Sequence, residues 1–141
     1  MHRELEAAFR RTRYRVFAAS GELLLQVDRV EPALAAVLRD SGAHCAALLT
    51  AFNPDGRRQA PFRNRQSQQR LHRELQRRGH AVIPARNEDP RGLWPMEPSL
   101  LVPNLPLIHA RQLAAHYGQV AFLWMDDGAT PRLIETAAPP G

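Results

Sequence analysis

Apolar and polar positions change their period several times along this chain, and each change marks an element. Residues 3–9 set Leu5, Ala8 and Phe9 at helical spacing, one face of a short first helix. From 12 to 17 the period drops to two, with Thr12, Tyr14 and Val16 alternating against Arg13, Arg15 and Phe17 as on a half-buried strand. Ser20-Gly21 is a turn signal, and 22–27 is the returning strand of a hairpin. Glu31-Pro32 opens a helix whose Leu34, Val37 and Leu38 share a face, and Ser41-Gly42 stops it.

The middle of the chain is less regular. Residues 43–51 are almost wholly apolar, as in a strand buried on both faces, and break at Asn53-Pro54-Asp55-Gly56. A helix over 62–78 ends at Gly79, and 81–84 is a short strand. A proline-rich, charged loop over 86–98 carries Trp94, and 99–102 is a further strand. Pro106 begins a helix with Leu107, Ala110, Leu113, Ala114 and Tyr117 on one face, closed by Gly118. Residues 120–125 form a second central strand, and Asp126-Asp127-Gly128 turns into an edge strand at 132–134.

After the first helix, the order β-β-α-β-α-β-β-α-β-β predicts an α/β (α+β) domain over 1–136. We expect a mixed sheet with central parallel crossover strands, antiparallel edge hairpins and three to four flanking helices. Residues 137–141 are expected to form a flexible tail.

Composition narrows the setting. No apolar run reaches the roughly 18–20 residues of a membrane helix. The first residues are charged rather than apolar, and Cys45 is the single cysteine. Both features lead us to expect a cytoplasmic chain without disulfides or membrane association. Cys45 lies within an apolar run and reads as core filler. The histidines at 2, 44, 72, 80, 109 and 116 form no metal-ligand spacing, so neither a metal nor a cofactor is expected.

Charge is unevenly placed. All 19 cations are arginine, which together with abundant alanine suggests a GC-rich genome. Residues 57–78 hold Arg57, Arg58, Arg63, Arg65, Arg70, Arg73, Arg77 and Arg78 against Glu74, a local +7, while the rest of the chain sums to −2.

The helix at 62–78 also carries candidate chemistry. Leu71 and Leu75 define its buried stripe, and at about 100° per residue Asn64 and Gln68 fall on the same stripe. A buried amide without a partner costs about 1–3 kcal/mol, so Asn64 must meet a polar group or open onto a pocket. In a crossover, the start of that helix lies beside the strand end that carries Thr50 and Asn53. This is the carboxyl edge of the sheet, where α/β ligands bind. In Trp94-Pro95-Met96-Glu97-Pro98-Ser99, the prolines stiffen the backbone around Glu97, as suits an acceptor, a general base or an arginine partner. Trp94 can stack on a planar ligand or anchor the core. Gln119 is a weaker candidate.

Thr50-Ala51-x-Asn53-Pro54, then Asn64 with Leu71, Leu75 and Gly79, then Trp94-Pro95-x-Glu97-Pro98-Ser99, then Gly118-Gln119 before an apolar strand resemble a family of short bacterial proteins. That family is catalogued only as a domain of unknown function. The resemblance spans residues 12–134, and it implies a bacterial source and a stand-alone domain but brings no activity. Arg57, Arg58 and Phe62 make the loop over 57–63 unusually basic for the pattern.

Three functions fit these residues. In the first, Thr50, Asn53, Asn64, Trp94, Glu97 and Ser99 line a pocket for a small polar or phosphorylated ligand such as a nucleotide. Glu97 is then the candidate catalytic acid or base, and Arg57, Arg58 and Arg65 meet phosphate. In the second, Arg70, Arg73 and Arg77 with Arg63 track nucleic-acid phosphates, although recognition motifs are lacking and the nine aromatics are sparse for base stacking. In the third, the polar motif is a structural brace within a protein-interaction or regulatory domain. The sequence specifies neither whether a reaction is catalysed nor the oligomeric state.

Overall fold

The structure, a computed structural model, describes residues 1–137. The tail expected over 137–141 lies, from residue 138 onward, outside the described residues.

The chain order is α1 (Arg3–Arg11), β1 (Arg13–Ala18), β2 (Gly21–Leu25), α2 (Pro32–Asp40), β3 (Cys45–Leu49), α3 (Pro61–Arg77), β4 (Ile83–Glu88), β5 (Glu97–Pro103), α4 (Leu107–His116), β6 (Ala121–Asp126) and β7 (Arg132–Glu135). A single 3-10 turn at Pro54–Gly56 follows β3. Each element appears where the hydrophobic period places it. The clearest boundary difference is β4, which runs on to Glu88 through residues expected to be loop.

The strands form one sheet in the order β2-β1-β4-β5-β3-β6-β7. Every paired neighbour is antiparallel, so the parallel crossover strands expected at its centre are absent. The physical reason lies in what fills the gaps. Alternating along the order, β2, β4, β3 and β7 run one way and β1, β5 and β6 run the other. Helix α3 therefore does join two strands of the same direction, β3 and β4, but β5 lies between them. Likewise α4 joins β5 to β6 across β3, and α2 joins β2 to β3 across three strands. Alternation of strand and helix reports direction correctly; it says nothing about which other strand takes the intervening place.

Period-two alternation divides the core into two layers. Ala46 and Leu48 of β3 pack with Leu101, Leu123 and Met125 beneath Leu34, Val37 and Leu38 of α2. Their neighbours Ala47 and Leu49 pack with Leu100, Val102 and Phe122 against Leu71 and Leu75 of α3 and Leu113 of α4. So α2 lies on one face, while α3 and α4 lie on the other. The central strands are buried on both faces, which is why their sequences are continuously apolar. Helix α1 is different: none of its residues is fully buried, and only Phe9 packs on the core of the α2 face.

One edge of the sheet gathers the carboxyl ends of β3 and β4 with the amino ends of β1, β5 and β6. Two of its loops interlock there. Gly118, in a left-handed conformation after α4, accepts a hydrogen bond from the Asp55 N–H at 2.8 Å. A Cβ at Gly118 would lie 2.8 Å from Cβ of Pro54. Left-handed strain of about 1–2 kcal/mol and overpacking of about 1–3 kcal/mol then act together. We expect Gly118→Ala to lower the unfolding free energy by about 2–5 kcal/mol in urea titration; an unchanged midpoint would show the contact to be slack.

Candidate functional site

A cavity of about 290 Å³ opens at this edge, on the α2 face. Its floor follows from strand register. Tyr14 pairs with Asn87 across β1 and β4, and Asn87 pairs with Glu97 across β4 and β5, so the three side chains stand in one row on one face. Thr50 and Phe52, just past β3, and Gln119, just before β6, extend the lining. Leu5, Ala8, Phe9 and Arg11 of α1 enclose it, and the 89–96 loop contributes Asp89, Arg91, Leu93 and Trp94.

That loop is held by Asp89. Its carboxylate accepts backbone N–H groups from Arg91, Leu93 and Trp94 at 2.9–3.0 Å, which hold its pKa below the usual carboxylate value. The loop is thereby fixed so that the Trp94 indole N–H donates to Oε2 of Glu97 at 2.9 Å. The Arg58 guanidinium lies 5.2 Å from the centre of the Trp94 ring, and it also donates to the carbonyl of Leu93.

Glu97 has a second donor on the same oxygen, the Asn53 side-chain amide at 2.6 Å. Among the described residues no protein group donates to Oε1, and this atom is not sealed from solvent. One oxygen is thus fixed while the other remains available in the cavity. Burial pushes the Glu97 carboxyl above its ordinary pKa, against the opposing pull of the Trp94 and Asn53 hydrogen bonds. Its partners are an indole and an amide rather than an arginine.

Asn53 is the junction of the edge. It adopts a left-handed backbone, tolerated by asparagine, and is buried. Its N–H donates to Oδ1 of Asn64 at 2.8 Å, and its Oδ1 accepts from Nδ2 of Asn64 at 2.9 Å and from the N–H of Gln59 at 2.8 Å. Gln59 closes the group through Nε2 to Oδ1 of Asn64 at 3.1 Å. Deeper on α3, Gln68 accepts from the N–H of Ala51 at 2.8 Å.

The candidate residues therefore separate. Thr50, Asn53, Trp94 and Glu97 line the cavity, whereas Asn64 and Ser99 do not. Asn64 projects from α3, which packs on the opposite face of the sheet, and it reaches the site only by holding Asn53. Ser99, buried on the same face of β5 as Glu97, donates to Oδ1 of Asn87 at 2.8 Å. Thr50 donates to the carbonyl of Pro98 at 2.8 Å and accepts from the N–H of Phe52. Arg57, Arg58, Arg65, Arg70, Arg73 and Arg77 are exposed and do not line the cavity; Arg11 and Arg91 do. Cys45 is half-buried on β3, with Sγ 3.5 Å from the carbonyl of Leu105, and burial pushes its thiol up.

Sequence reasoning missed Tyr14 and Asn87 as site residues, and the enclosing role of α1. Asn87 had a legible signal, because it is in phase with inward-facing Ala85 once the strand is continued past Pro84. The Tyr14 hydroxyl donates to the carbonyl of Phe9 at 3.2 Å, and burial raises its pKa.

Two outcomes follow. Asn64→Leu strands the buried N–H of Asn53 and takes one of two donors from its side-chain oxygen, which keeps the Gln59 N–H, and we expect a loss of about 1–3 kcal/mol in urea unfolding at unchanged m. An unchanged midpoint would show that Asn53 is held without Asn64. For Glu97, folding raises the pKa, so the native state binds its proton more tightly than the unfolded chain does. Its contribution is fully present below the ordinary value of 4.5 and is lost as pH rises through the folded value. Glu97→Gln keeps an oxygen for both donors and removes this loss, so the variant should gain stability on wild type as pH rises above 4.5. Parallel stability curves over that range would exclude the shift.

A family model described as "Protein of unknown function (DUF3293)" matches residues 49–122. That stretch runs from the end of β3 to the start of β6 and contains the Asn53 junction, Trp94, Glu97 and the Gly118 contact. No curated protein and no solved structure matches the chain.

Proposed function

We propose, for a chain that belongs to the family described as protein of unknown function DUF3293, that the cavity at the sheet edge binds a small polar ligand through Glu97. The half-satisfied Glu97 carboxylate carries this reading. A carboxylate with a purely bracing role would be expected to use both oxygens, because an ionised acceptor gains from every donor it meets. Here Asn53 and Trp94 fix Oε2 and leave Oε1 for a group from outside the chain.

The surrounding chemistry indicates the kind of ligand. Oε1 of Glu97 requires a donor, an N–H or O–H. The Asn87 amide nitrogen has no acceptor among the described residues, since the Asn87 oxygen takes the Ser99 hydroxyl, so it offers a donor beside that acceptor. Phe9, Phe52, Leu93 and Trp94 supply apolar walls, which suits a ligand with a flat or apolar body and a polar end. Arg11 and Arg91 can meet an anionic substituent. A raised carboxyl pKa also suits acid–base chemistry, and Glu97 is the residue in which a reaction would be sought.

Thermal shift with a library of polar metabolites tests the reading. A ligand at 100 times its Kd adds about 2.7 kcal/mol, a rise of roughly 5–10 °C for a chain of this size. We expect at least one compound to produce such a rise in wild type and to lose it in Glu97→Gln. If no compound shifts wild type, or if the variant responds equally, the pocket is not a Glu97 site.

A further inference from the structure

The basic segment lies apart from the cavity. Helix α3 packs on the opposite sheet face, and its arginines point away from the Leu71–Leu75 stripe. At about 100° and 1.5 Å per residue, Arg63, Arg70, Arg73 and Arg77 occupy an arc of roughly 80° and extend for about 21 Å along the helix. All four are exposed.

What distinguishes this stretch from the rest of the chain is the density of arginine around a single acid. Arg10 pairs with Glu6 and Asp28, Arg15 with Glu22 and Glu88, and Arg86 with Glu88. None of Arg63, Arg70, Arg73 and Arg77 has an acidic partner among the described residues. The single acid of the helix, Glu74, is occupied by Arg78 at 2.6 Å and by the Tyr117 hydroxyl at 2.9 Å. Codon bias explains arginine in place of lysine, but it does not explain why 57–78 carry eight arginines against one acid while the rest of the chain carries eleven against thirteen.

We propose that the outer face of α3 binds the phosphodiester backbone of nucleic acid, without reading sequence. An evenly charged polyanion fits a stripe of unpaired guanidinium groups, each able to fork onto phosphate oxygens. Gln66 lies within this arc and Gln69 and Gln76 flank it on one side, while Glu74, engaged by Arg78 and Tyr117, flanks it on the other. A membrane-docking helix would need several apolar side chains to insert beside its cations, and a protein-binding face would need a cluster of aromatic or aliphatic anchors; the exposed large apolar side chain of this helix is Phe62 alone, at the N-terminal end of the stripe.

Fluorescence anisotropy of the full chain, with a labelled 20-base-pair duplex and a labelled 20-nucleotide single strand, tests the proposal. Near physiological salt we expect a Kd of roughly 10⁻⁶–10⁻⁴ M, and four phosphate contacts predict a log–log salt slope of about −3.6 for the duplex or about −2.8 for the single strand. Combined Arg70→Glu, Arg73→Glu and Arg77→Glu should weaken binding by about 100-fold without lowering Tm, since all three side chains are exposed. Should charge reversal disturb the fold, the matching glutamine variant keeps helix propensity and should still weaken binding by at least about tenfold. Glu97→Gln should bind as wild type does, which separates this surface from the cavity. Absent binding, a flat salt slope, equal binding by the arginine variants, or equal affinity for poly-glutamate or phosphatidylserine vesicles would each overturn it.

Discussion

The 2.6 Å hydrogen bond from Asn53 to Glu97 connects two layers that otherwise have no reason to be in register. Through its backbone and its side-chain oxygen, Asn53 is bound to Asn64 on the α3 side of the sheet. Through its side-chain nitrogen it orients a carboxylate on the α1 side. The left-handed backbone at Asn53 makes both contacts available to one residue, and few residue types adopt that conformation at low cost. The position of Glu97 therefore depends on a helix that never touches the cavity. Trp94 adds a second hold on the same oxygen, and Asp89 in turn fixes the loop that delivers Trp94.

Much of the fold was legible because hydrophobic period and turn chemistry are local. Gly42, Gly79 and Gly118 stop helices as their sequence positions imply, and the apolar runs at 43–51 and 120–125 became strands covered on both faces. The sheet order was not legible. Whether β5 pairs beside β4 alone or also enters the space beside β3 depends on contacts between residues about 50 positions apart, such as Ala47 with Val102. Both β3 and β5 are apolar on both faces, so neither sequence displays a preferred neighbour.

The site was legible in part for the same reason. Asn64 and Gln68 stood out as amides on a buried stripe, and both found partners in the segment that follows β3. The expected position of the pocket at the start of α3 assumed that the helix and the cavity share a face, and here they do not. Tyr14 and Asn87 become neighbours of Glu97 only through the antiparallel register, information carried by no single segment. The arginines drew attention by their number, yet their separation from the cavity follows from the side of the sheet on which α3 packs.

The place of β3 in the sheet has a consequence for how the chain is made. Both of its hydrogen-bonding neighbours, β5 and β6, come later in the sequence. During synthesis the Cys-Ala-Ala-Leu-Leu segment emerges with two open edges and stays so until residues beyond 97 leave the ribosome. An apolar strand with unpaired edges is a template for pairing with other chains. Early docking of α2 and α3, which bracket β3 in sequence and cover its two faces, would shield it in the interval. The cavity, assembled from residues 5 to 120, can form only once that wait is over.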